Sequence, residues 1–131
     1  MASNSKNRAA FSAIMHVYSY IYVIVGILFY LFHSLLEEIL TLQSAPDRFW
    51  VVLTTSMMMM LGFIARQSAK NPDDEAYIKL HLLSKGVSTG GFLLAALLEG
   101  QYYLAYAVGA VTDGSIFIMV WWLARRLRVV A

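Results

Sequence analysis

Four stretches of this chain are nearly free of charge, and the polar residues collect between them. Phe11 to Leu36 contains no Asp, Glu, Lys or Arg. Residues 49–66 end on Arg66, residues 77–98 hold Lys79 and Lys85, and residues 102–124 hold only Asp113. A bilayer core about 30 Å thick is crossed by about 20 helical residues. Each stretch therefore reads as one transmembrane helix. The passage VYSYIY, residues 17–22, alternates like a strand. A lone strand cannot satisfy its backbone in lipid, whereas a helix can, so the length of the apolar run decides for helix.

The punctuation agrees with this division. Residues 1–10 read as a short polar tail ahead of a single domain spanning 11–131. The segment HSLLEEIL extends the first helix past the apolar core, and Pro46-Asp47 breaks the chain within a loop at 43–48. Phe49 and Trp50 suit an interfacial aromatic belt. Asn71-Pro72 stops the second helix. Pro72 followed by Asp73, Asp74 and Glu75 predicts the start of the third, with proline at a first helical position and acids near the positive end of the helix dipole. Glu99-Gly100-Gln101 forms a tight turn into the fourth. The expected fold is all-α: an integral membrane four-helix transmembrane bundle.

Composition sharpens this reading. The chain is 60% hydrophobic, with a mean hydropathy of +0.63, too apolar for an ordinary soluble domain. The weakly basic start resembles a signal peptide, but its apolar run is too long and no A-x-A site follows, so a retained first helix is expected. With no cysteine, disulfides, thiolate metal sites and thiol catalysis are excluded.

Charge placement predicts orientation. Four spans put both termini on the side of the 67–77 loop. That side carries Lys6, Arg8, Arg66, Lys70, Lys79, Arg125, Arg126 and Arg128, and the other carries Arg48 alone. The positive-inside rule makes both termini cytoplasmic. These basic residues flank membrane segments instead of forming one face, so no nucleic-acid partner is expected.

Two charges lie at membrane depth. Lys85 sits within the third span and Asp113 near the middle of the fourth. Such charges cost at least about 2.5–3.5 kcal/mol at a helix centre and are usually paired or functional. His81, Lys85, Ser88 and Thr89 share an arc of about 100° on one helix. Tyr106 and Asp113 share a face of the next. A short turn makes these helices antiparallel neighbours, so depth and face together predict a Lys85–Asp113 pair. No second deep carboxylate accompanies Asp113, which argues against a multi-carboxylate proton relay. Gly86 and Gly90 form a GxxxG, and Ala105/Gly109 and Ala110/Gly114 are further small-residue pairs that suit close helix contact.

Other residues suggest chemistry more weakly. His16 and His81 fall at similar expected depth on different helices and could ligate a haem iron axially. Ser19, Tyr22, Gly26, Tyr30, His33 and Glu37 recur along the first helix, as a helix interface or the lining of a quinone-like pocket. Met57 to Met60 encircle the second helix with adaptable side chains; four consecutive residues cannot share a face, which excludes a metal box. Trp121 and Trp122 before Arg125 and Arg126 anchor the fourth helix at the interface. No metal-ligand spacing, nucleophile elbow or phosphate loop is present, so catalysis is not expected. The sequence points first to an accessory or scaffolding subunit of a membrane complex or a homo-oligomer. A small oligomeric transporter or channel built on Lys85 and Asp113 comes second, and a haem- or quinone-binding redox subunit third.

Overall fold

A computed structural model of the chain describes residues 2–40, 48–98 and 102–127, with side chains from residue 5 onward. It contains four helices: α1 (Ala2–Ile39), α2 (Phe49–Lys70), α3 (Glu75–Leu98) and α4 (Tyr103–Leu127). All four are long and apolar enough to cross a membrane. The protein is an all-α four-helix bundle of multi-pass character. Pro46-Asp47, the Glu99–Gln101 turn and Arg128 lie outside the described residues.

The expected polar tail is instead helical from Ala2, which extends α1 to 38 residues, about 57 Å at 1.5 Å per residue. Its first turns are tied down by polar contacts. The Arg8 guanidinium lies 2.9 Å from the Asp73 carboxylate. The Ser12 hydroxyl donates to the Ala69 carbonyl at 2.5 Å. At the other end α1 bends at Phe32, whose backbone leaves the helical region at φ −123°, ψ 26°. Nothing in the sequence flags this kink, because neither proline nor glycine stands there.

The α2–α3 connection differs from expectation in one detail. The Asn71 amide closes α2 on the Gln67 carbonyl at 2.9 Å, and the Asp74 amide reaches back to the Asn71 carbonyl at 3.0 Å. Pro72 therefore occupies the second position of a turn, which its fixed φ favours, and not the first position of α3. Asp74 is the cap instead: its Oδ1 accepts from the Ala76 amide at 2.9 Å, satisfying one of the amides that a helix start leaves orphaned.

Each helix packs on two neighbours, most extensively α1 on α2 and then α3 on α4, with lighter contact of α2 on α3 and α1 on α4. The bundle is two helical hairpins side by side. Close approach of α1 and α2 follows from two facing glycines. A Cβ at Gly62 would stand 3.2 Å from the Ser19 carbonyl and 3.0 Å from Val23, and one at Gly26 would stand 3.0 Å from the Met58 Cβ. On the second hairpin, Gly109 lies beneath the Phe92 ring and Gly114 beside Thr89. Only half of the expected GxxxG takes part: Gly86 meets Phe117, whereas Gly90 has nothing within 4 Å.

The hydrophobic core occupies one half of the bundle. Phe11 and Met15 of α1, Leu61 and Ala65 of α2, Ile78 and Leu82 of α3 and Val120 and Ala124 of α4 form a single buried cluster. All of them lie toward the end that carries the chain termini and the α2–α3 turn, here called the terminal half. Beyond Lys85, the described part of α3 has no buried residue, and α4 has none before Ala110. In this far half Gly26, Glu37 and Val51 of the α1–α2 hairpin are buried, and Ala110 of α4, next to the pair.

Candidate functional site

Where the four-helix core gives way to two separate hairpins, a polar cluster crosses the bundle. The Lys85 ammonium lies 2.7 Å from Asp113 Oδ1, with side-chain exposures of 3% and 14%. Ser88, one turn outward from Lys85 on α3, donates to the second carboxylate oxygen of Asp113. The carboxylate thus receives one charged and one neutral donor. The Thr89 hydroxyl turns back to the Lys85 carbonyl at 2.7 Å, so it serves its own helix and not the pair.

The cluster also links the hairpins. The Lys85 ammonium stands 4.7 Å above the ring of Tyr22 on α1, within the range at which a ring face attracts a cation. The Tyr22 hydroxyl approaches His81 Nε2 at 3.4 Å, and the two rings are tilted with centroids 5.8 Å apart. Tyr18, one turn before Tyr22, donates its hydroxyl to the Met119 sulfur of α4 at 3.2 Å. Tyr22, His81 and Lys85 are all buried. The Nδ1 atoms of His81 and His33 are buried and take no hydrogen-bond partner.

Of the residues singled out by spacing, Lys85, Ser88, Asp113 and His81 come together. Thr89 lies beside them. Tyr106 shares the face of Asp113 but sits seven residues away, about 10 Å along the axis, where its ring packs edge-on against Tyr102 at 6.3 Å. His16 is half-buried on α1, and the sealed His81 ring turns its Nε2 to Tyr22. His81 is at 0% exposure within the core, so a haem could reach it for axial ligation with His16 only by displacing core side chains. No group of three His, Asp or Glu suited to a metal ion occurs among the described residues.

Tyr22 is the member that spacing alone did not bring in. It belongs to the α1 stripe, yet only the tertiary arrangement puts α1 across the core from α3. A tyrosine at the depth of an unexplained lysine was the available signal. Chemically, the cluster keeps an ammonium and a carboxylate neutralised within the bundle and sets two further proton-bearing groups, imidazole and phenol, against them. Near the end of α4, Arg126 stacks over Trp122 at 3.5 Å and Arg125 over Trp121 at 5.0 Å.

The chain matches no protein-family model, no curated protein and no solved structure.

Proposed function

We propose that this chain is a small membrane subunit that works in an assembly, with other membrane chains or with copies of itself, and that Lys85–Asp113 is the lock that holds its second hairpin in register. The observation that carries the reading is the closure of the pair: Asp113 is satisfied by Lys85 and Ser88, and Lys85 is all but sealed from solvent. A buried pair with its hydrogen bonds satisfied fixes register and orientation, its best-attested use. The far half, where α3 and α4 leave large apolar side chains uncovered, suits contact with further membrane helices. The basic residues on the terminal side support cytoplasmic termini.

The test is native mass spectrometry of protein extracted gently from its own membrane, with an absorption spectrum of the same sample. A defined complex is the expected result, and an isolated monomer would sink the proposal. A Soret or quinone band would move the redox reading ahead of it. A second reading, a small oligomeric transporter, is favoured by the continuous row Tyr22, His81, Lys85 and Asp113, since intramembrane ionisable groups mark ion and proton paths. It requires that Asp113→Asn abolish flux while assembly persists.

A further inference from the structure

The Lys85–Asp113 pair is sealed unequally on its two sides, and this carries an inference beyond a structural lock. Toward the termini, all four helices contribute buried residues immediately beneath it: Ser19, Ala65, His81 and Ile116 among them. Outward the seal thins. The next residues on the same face of α3, Ser88 and Thr89, are only half-buried, as are Gly109 and Tyr106 on α4, where Ala110 alone of that face stays buried. Asp113 retains 14% exposure while its partner Lys85 retains 3%.

We infer that Asp113 is reached by water and protons from the far side of the bundle, the side of the α1–α2 connection, and not from the terminal side. The exposed edge of a carboxylate at this depth is costly against hydrocarbon, and water relieves that cost where polar groups hold it in place, each buried water needing about 2–4 hydrogen-bond partners. The far-side faces supply them. Ser88 and Thr89 of α3 and Tyr106 of α4 stand there. Lys85 and Asp113 are then the floor of a one-sided aqueous vestibule. His81 lies below that floor, in the sealed half.

The absence of cysteine from the chain makes the test direct. Single cysteines are introduced, and membrane vesicles of each orientation are treated with a membrane-impermeant methanethiosulfonate. Arg48→Cys marks the far side and Lys70→Cys the terminal side. Ser88→Cys probes the depth of the pair, with Thr89→Cys as a second probe should loss of the Ser88 hydroxyl impair assembly. Ser68→Cys reports the sealed core. Gly90→Cys is a lipid-facing control at nearly the same depth: it has open space around it and is turned about 140° from Lys85. The expected result is that Ser88→Cys or Thr89→Cys reacts in the orientation in which Arg48→Cys reacts, while Ser68→Cys and Gly90→Cys stay unmodified. Reaction in the Lys70→Cys orientation would overturn the inference. So would protection of both probes from both sides, or labelling of Gly90→Cys as fast as the probes.

Discussion

The two halves of this bundle solve the same problem differently. In the terminal half, four helices share one core, and polar contacts tie the hairpins to one another through Tyr22, His81 and Lys85 and through Tyr18 and Met119. In the far half each hairpin is zipped internally, by Gly26 against Met58 or by Gly109 against Phe92, and α3 and α4 turn Leu93, Leu94, Leu97 and Val111 outward. Lipid is as apolar as leucine, so apolar surface alone does not drive helices together in a bilayer. Small residues that permit close packing and polar side chains that bond across helices do. The Tyr22–His81, Tyr22–Lys85 and Tyr18–Met119 contacts all lie at or below the level of Lys85. Above it, apolar surface alone gives the hairpins little preference for each other over lipid.

The strongest way to break this contrast is to uncouple the seam. Asp113→Ala or Lys85→Ala leaves a buried charge without its partner, and the expected loss is about 3–5 kcal/mol, measured by unfolding in mixed micelles of a mild detergent and dodecyl sulfate. Replacing both residues together, Lys85→Met with Asp113→Leu, is expected to restore most of that stability. A double-mutant cycle that finds no coupling would remove the pair from its place at the seam.

Next in size is a direct comparison of the halves. Ile78, fully buried in the terminal core, is expected to cost about 2–3 kcal/mol as Ile78→Ala, the lower part of the range for such truncations, because the reference environment includes detergent or lipid. Leu97 is 83% exposed in the far half, and Leu97→Ala is expected to change stability by no more than about 0.5 kcal/mol. Equal effects at the two positions would mean that the far half also holds a core.

Glycine substitutions sharpen the same point inside the membrane, with opposite signs. At Gly62 a side chain meets the α1 backbone at the Ser19 carbonyl, which cannot move without displacing the helix. Gly62→Val is expected to cost about 1–3 kcal/mol through overpacking. At Gly90 nothing lies within 4 Å. Gly90→Ala removes only the conformational freedom of glycine in a helix and is expected to stabilise by about 0.5–1 kcal/mol. If Gly90→Ala instead weakens an oligomer, the GxxxG serves a contact between chains.

How much of this could be read from residues alone follows the range of the interactions. The number, order and approximate bounds of the helices are local properties of apolar runs and breakers, and they are legible. Lys85 and Asp113 meet across a short turn between antiparallel neighbours, so helix face and depth sufficed to suggest their encounter. The α1–α2 glycines are harder, because Gly26 and Gly62 stand alone with no xxx-small partner to mark them. The Tyr22–His81 contact joins helices that are not packed neighbours, and no periodicity within either helix encodes it. The half-closed core is harder still, since both halves of each helix are comparably apolar and only the polar pins distinguish them.

The finest test concerns one of those pins. Tyr22 contributes two separable contacts: its ring lies under the Lys85 ammonium, and its hydroxyl faces His81 Nε2. Tyr22→Phe keeps the ring and deletes the hydroxyl. Polar contacts between membrane helices average about 0.6 kcal/mol, and at 3.4 Å this one is long, so a loss no larger than that is expected. Tyr22→Leu also removes the aromatic face from the lysine and is expected to cost more. If the two substitutions prove equal, the hydroxyl carries the joint between the hairpins. If Tyr22→Phe is silent and Tyr22→Leu is not, the cation–ring contact carries it, and the charge on Lys85 holds the terminal half together as well as α3 to α4.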